Sequence, residues 1–227
     1  MNLYSLCASS GILIMFLVFK HFLSPNFKNL TQDDISILYA TYIILCYFFA
    51  RLMMYLENRI KFKDIHKIYQ GGLTSYGSWY IGLVLTLIIP YFYQEPIKLF
   101  LDAVLLTAQI QPIMVRLGNY LIGELPGIYS EKLKRRHPSQ LYKLFSEGFL
   151  MLILTWSQYP SIGSGNIFLT FSICYPIIRM INAQFEEDDL IMPGWYRNSI
   201  YPYMKIATFE ALVMFIVYNT VYLLFIY

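Results

Sequence analysis

The sequence predicts an all-α, polytopic membrane protein with about seven transmembrane helices and interfacial loop segments, a single integral-membrane domain over residues 1–227. Three observations predict it. Apolar residues make up 57% of the chain and charged residues only 14%, with a positive mean hydropathy, which fits a polytopic membrane protein better than soluble domains. The apolar residues fall into separate runs of membrane length. There are 21 Tyr and 17 Phe, as expected where amphipathic rings collect at membrane interfaces.

The first run extends from Leu3 to about Phe22. It lacks the basic start and small-residue cleavage site of a signal peptide, so it is expected to be a retained first helix. Ser24 to Asp34 reads as a connecting loop through Pro25, with Thr31 or Asp33 as cap of the next helix. That second helix runs from about Ile35 to Leu56, long enough at about 1.5 Å per residue to cross a hydrocarbon core about 30 Å thick. Arg51 has two readings, snorkelling to the headgroups or a buried polar role. In ENRIKFKDIHKIYQGG, Ile60, Phe62, Ile65 and Ile68 alternate with Arg59, Lys61, Lys63 and Lys67, the pattern of a short amphipathic segment lying at the interface.

A third run covers Ser75 to Tyr93, and a fourth, from about Ile97 to Val115, carries Asp102, Gln109 and Gln111. Pro112 is expected to kink or end the fourth helix. The fifth run, Leu141 to Ser157, holds Lys143 and Glu147 at the spacing of i,i+4 partners. After the uncharged turn sequence YPSIGSGN, a sixth run from Ile167 to Ile181 carries Arg179 and is followed by Glu186, Glu187, Asp188 and Asp189. The seventh extends from about Tyr203 to Tyr227.

Composition also narrows the partners. The net charge of +3, from 17 basic and 14 acidic side chains, is too small to argue for nucleic acid but leaves room for an anionic phospholipid headgroup. Cys7, Cys46 and Cys174 lie in apolar runs without metal-ligand or Cys-x-x-Cys spacing and read as small hydrophobes, so no disulfide frame, metal or cofactor is expected.

The stretch from Met114 to Tyr142 breaks the apolar pattern with Arg116, Asn119, Glu124, Lys132, Lys134, Arg135, Arg136, His137 and Gln140. Ionisable groups near a bilayer are costly unless they face water, a partner or a substrate, so this stretch is the candidate functional site.

The strings QGGLTSYG (70–77), RLGNYLIGELPG (116–127) and HPSQLY (137–142) resemble the prolipoprotein diacylglyceryl transferases of bacteria. A lone GGL is weak; RLGN, GEL and HPSQLY in this order and spacing form a specific signal. ARLMMYLEN (50–58), the Glu147-Gly148 pair and YPIIRM around Arg179 extend the likeness in islands over most of the chain. The family has seven membrane helices, the number of runs read above.

The resemblance implies transfer of the diacylglyceryl group from phosphatidylglycerol to the lipobox cysteine thiol of a prolipoprotein signal peptide, with glycerol phosphate as leaving group. It implies a multi-pass protein of the bacterial inner membrane, surrounded by membrane lipids, whose active-site loops face outside. Such chemistry wants a fixed guanidinium on the phosphodiester, for which Arg116 and Arg179 are candidates. It also wants a base for a thiol of ordinary pKa about 8.5, and His137 and Tyr76 are both available. Gly71, Gly72, Gly118, Asn119, Glu124 and Gln140 join Arg116 as candidate substrate-binding residues.

The chain departs from the family at several positions. Tyr76 stands where many members carry a histidine proposed as base, Ser10 about where a functional tyrosine falls, Ile122 for an asparagine, and Lys143 for a glutamate. The late Glu and Arg-x-Pro-Asp elements are not evident in MINAQFEEDD (180–189). Three classes therefore stand: an active transferase, a catalytically weakened relative that binds phospholipid or prolipoprotein, and an unrelated transporter or structural protein.

Structural readings stand beside the functional ones. The glycines can serve tight turns or close helix approach. Asn119 and Gln140 can satisfy buried backbone groups, Glu124 can partner an arginine, His137 can orient the loop, and Lys132 to Arg136 can be a headgroup-facing run. The loops after the second, fourth and sixth runs hold Arg59, Lys61, Lys63, Lys67, Arg116, Lys132, Lys134, Arg135, Arg136 and Arg197, against Lys20, Lys28 and Lys98 opposite. The positive-inside rule places the larger set in the cytoplasm, whereas the resemblance places it outside, and phosphate binding gives those cations another reason to be there.

Overall fold

The computed structural model describes residues 3–56, 61, 63, 75–123, 127–186 and 206–226. Their helices are α1 (Leu3–Val18), α2 (Gln32–Leu56), α3 (Ser75–Tyr93), α4 (Ile97–Ala108), α5 (Ile110–Leu121), α6 (Ser139–Lys143), α7 (Met151–Trp156), α8 (Asn166–Ala183) and α9 (Ile206–Phe225). A π-helical turn, Phe19–Leu23, extends α1, and a longer π-helical stretch, Leu144–Leu150, joins α6 to α7. The predicted runs thus fold as helical rods in the predicted order. Among the described residues, five spans are long and apolar enough to cross a membrane: Leu3–Asn26, Gln32–Met53, Ile97–Leu121, Asn166–Ala183 and Ala207–Phe225. Ser78–Tyr93 is a shorter apolar helix, and the α6–π–α7 rod is not among the five. The protein is an all-α, multi-pass membrane protein.

Local chemistry explains the boundaries. Thr31 caps α2: its Oγ1 accepts the Asp34 N–H at 3.1 Å, while Asp34 Oδ2 accepts the Thr31 N–H at 3.0 Å. This reciprocal pairing starts the helix at Gln32, before the apolar run begins. The fourth rod breaks at Gln109, between α4 and α5, because Pro112 cannot donate to the Ala108 carbonyl and its ring crowds that oxygen. Beyond the break, α5 continues to Leu121, so Arg116 and Asn119 lie inside a membrane-length span, and Arg116 is not in the loop where the charge count placed it. In α8, Pro176 likewise leaves the Ser172 carbonyl without its helical donor, and Asn219 Nδ2 of α9 donates to it at 3.2 Å.

Packing holds the rods in register. Gly118 lets α5 approach α1, since a Cβ there meets Tyr4 Cα and Cys7 Cβ at 3.2 Å. Phe27, Phe100, Leu101, Phe168, Phe171 and Tyr218 are buried in one cluster at the centre. Around them, Ile37, Ile44, Leu223 and Leu224 are exposed, as expected of faces turned to lipid.

Buried polar groups inside the rods are partnered by neighbouring elements. Asp102 is fully buried in α4 and accepts the N–H groups of Gly163 (2.9 Å), Gly165 (3.0 Å) and Phe168 (3.0 Å), which pins the turn before α8. Arg51 is 2% exposed, so of its two readings the structure has the buried one.

Candidate active site

The site forms where α5, the π-helical stretch and α8 meet. The π winding puts Glu147 on the inner side of its rod, and such stretches recur at functional sites. Gly148 makes the approach possible: a Cβ there would lie 2.6 Å from Ile113 Cγ1, one turn before Arg116 on α5. Gly148→Val is therefore expected to cost about 1–3 kcal/mol by overpacking. Thermal unfolding in detergent checks this, and Ile113→Ala should recover part of the loss; a neutral Gly148→Val would contradict the close contact.

Glu147 is the hub. Its carboxylate is completely buried, which costs several kcal/mol unless the charge is paired and hydrogen-bonded. Oε1 lies 3.2 Å from Arg179 Nη1 and 2.9 Å from Asn182 Nδ2, and Oε2 lies 3.5 Å from Arg116 Nη2. Arg179 Nη1 also reaches Glu186 Oε1 at 3.3 Å, and Lys143 Nζ meets the same oxygen at 2.8 Å. Lys143 is 2% exposed; its close ion pair is with Glu186, and its charge also acts on Glu147, the partner its spacing suggested. Burial raises the Glu186 carboxyl pKa, but Arg179 and Lys143 outweigh it and hold the group below the usual carboxylate range.

Three cations, Arg116, Lys143 and Arg179, thus face two carboxylates, Glu147 and Glu186, for a net charge of +1. Arg116 Nε is buried and has no protein acceptor among the described residues. A cluster with excess positive charge and an unused guanidinium donor can hold an anion.

A second layer frames it. His137 N–H donates to Ile128 O at 2.9 Å, Gly127 N–H to His137 O at 3.0 Å, and Ile128 N–H to Phe185 O at 3.1 Å. These bonds lay the segment before α6 beside the chain leaving α8, and so place Glu186. A Cβ on Gly127 would meet the Phe185 and His137 carbonyl oxygens at 2.5 and 2.6 Å, so this close approach requires glycine. The His137 ring packs with Tyr142 and Phe185, its Nδ1 3.2 Å from Tyr142 Oη. Between these segments, Lys132 to Arg136 are exposed on a hairpin of β1 (Tyr129–Ser130) and β2 (Arg135–Arg136).

Of the residues singled out in the sequence, the structure joins Arg116 and Arg179 through Glu147. Asn119, 5% exposed, lies one turn beyond Arg116 on α5, and Gln140, 3% exposed, lies in α6. Gly118 abuts α1. The His137 ring packs in the aromatic group, a neighbour of the ion cluster through Phe185 and Glu186. Gly71, Gly72 and Glu124 lie outside the described residues; Tyr76 lies in the first turn of α3, with its side chain outside them. Sequence reasoning missed the central role of Glu147, although a carboxylate in mid-run carries the same signal as the arginines.

Fold and site together define a polytopic membrane protein that buries a cation-rich ion cluster between its helices. A family model described as prolipoprotein diacylglyceryl transferase matches residues 1–225, and the chain belongs to that family. Among relatives named phosphatidylglycerol–prolipoprotein diacylglyceryl transferase, that of Verminephrobacter eiseniae is 27% identical over 143 residues, 57% of this chain and 52% of the relative. That of Campylobacter jejuni is 30% identical over 127 residues (52% and 46%), and that of Rickettsia akari 31% over 149 (56% and 54%). The chain spans about half the length of the relatives it matches.

Proposed function

We propose that this chain transfers the diacylglyceryl group of phosphatidylglycerol to the lipobox cysteine of a prolipoprotein. The observation that carries this reading is the buried cluster of Arg116, Lys143 and Arg179 against Glu147 and Glu186, with its net positive charge. In the reaction the cysteine sulfur attacks the glycerol carbon that bears the phosphate, a C–S bond forms and the C–O bond breaks. The electron pair leaves with glycerol phosphate, whose phosphate charge grows from about −1 to about −2, so fixed cations stabilise the transition state more than the ground state. The thiol proton goes to a base, for which Tyr76 and His137 are the candidates.

The family name supports the reaction, and the names of the relatives support both substrates. We place the protein in the bacterial inner membrane with the cluster open to the outer side, where exported precursors arrive. Expression in a bacterium depleted of its own transferase should restore growth and lipoprotein maturation. Failure with the chain present in the membrane would favour the second reading, a relative that binds phospholipid without transfer. That reading is favoured by one observation: His137 Nδ1 lies 3.2 Å from Tyr142 Oη, which already engages it.

The base is tested by two variants in an activity assay. If Tyr76 takes the proton, Tyr76→Phe should cut the rate by roughly two to four orders of magnitude, and Tyr76→His should retain or raise it. Near-normal Tyr76→Phe with inactive His137→Ala assigns the base to His137, whose ordinary pKa of about 6.5 suits neutral pH.

A further inference from the structure

The two carboxylates of the cluster are not equivalent. Glu147 is completely buried and held by Arg116, Arg179 and Asn182 from two other rods. Glu186 lies beyond the end of α8, its side chain 21% exposed, and a single oxygen, Oε1, sits 2.8 Å from Lys143 Nζ and 3.3 Å from Arg179 Nη1. One oxygen between a lysine and an arginine has the geometry of a phosphate oxygen in a basic pocket. Lys143, where the family resemblance leads one to expect glutamate, supplies half of that pocket.

We infer that the Glu186 carboxylate holds the place of an anionic headgroup's phosphodiester, which displaces it from Lys143 and Arg179. This rests on the reading above that the cluster receives a phospholipid headgroup. The exchange replaces one single negative charge with another, so it adds no net charge to a buried site, and Glu186 has a solvent-facing edge to move toward. The remaining +1 of the cluster is then unspent until the C–O bond breaks and the phosphate gains its second charge. Lys143 and Glu186 thereby set headgroup affinity without touching the sulfur.

The test is equilibrium binding of fluorescent phosphatidylglycerol to the purified full chain in detergent micelles, with phosphatidylcholine as zwitterionic control and free glycerol phosphate as soluble alternative. Glu186→Gln removes the competing charge and should tighten phosphatidylglycerol binding about tenfold, and Lys143→Gln should weaken it about tenfold, each step near 1.4 kcal/mol. Glu186→Asp, which keeps the charge but shortens its reach, should tighten binding less and serves if Glu186→Gln does not fold. A merely structural ion pair predicts the reverse for Glu186, weaker binding together with a lower Tm. Unchanged or weaker binding by folded Glu186 variants overturns the exchange alone, whereas no phosphatidylglycerol binding by the wild-type chain overturns the headgroup reading as well. Tightening seen only for free glycerol phosphate overturns the assignment to a lipid.

Discussion

Glu147→Gln is expected to destabilise the protein by about 3–5 kcal/mol, the cost of removing one partner from a buried ion pair. The carboxylate bridges Arg116 and Arg179 and is completely buried. Without it, three cations face Glu186 alone and repel one another across the junction of α5, the π-helical stretch and α8. Since a domain is stable by only about 5–15 kcal/mol, the loss should lower Tm by many degrees and reduce the yield of monodisperse protein. Glu131→Gln, an acid removed from the exposed hairpin, should stay within about 0.5 kcal/mol. Equal Tm values for the two variants would contradict the role of Glu147 as hub.

Arg116→Ala is expected to abolish transfer, with a loss of at least about a hundredfold in kcat/KM, comparable to removing a donor that stabilises transition-state charge. Its side chain is 14% exposed, touches Glu147 through one nitrogen and keeps Nε without a protein acceptor among the described residues, so the guanidinium has donors left for an anion. Arg116→Lys should recover only part of the activity, because a point charge cannot reproduce a planar two-pronged contact. Lys134→Ala should change little: Lys134 lies exposed in the turn of the hairpin. Similar mild effects at both positions would remove Arg116 from the site.

These expectations show which features the sequence reveals. Apolar runs disclose the rods because burial in lipid demands one kind of residue over about twenty positions. Pro112 marks the break at Gln109 and Thr31 the start of α2, since both act on backbone groups within four residues. Arg116 and Arg179 stand out as ionisable groups in apolar surroundings. What joins them does not, because Glu147 meets Arg116 across 31 positions and Arg179 across 32, and such pairings are set by helix packing. The local i,i+4 spacing marks Lys143 and Glu147, whose charges do act on each other, but not the 2.8 Å contact of Lys143 with Glu186, which packing sets across 43 positions. The charge count over loops erred at Arg116 because it took the end of the apolar run for the end of the helix.

The central claim is that the Arg116–Lys143–Arg179 cluster handles the phosphate of a phospholipid that donates its diacylglyceryl group to a thiol. Incubating purified protein with phosphatidylglycerol and a lipobox peptide, and weighing the peptide by mass spectrometry, tests it most directly. The expected result is a mass gain of one diacylglyceryl group on the cysteine, with glycerol phosphate released in equal amount and no product from Arg116→Ala. An unmodified peptide, under conditions where a transferase of known activity modifies it, would contradict the claim.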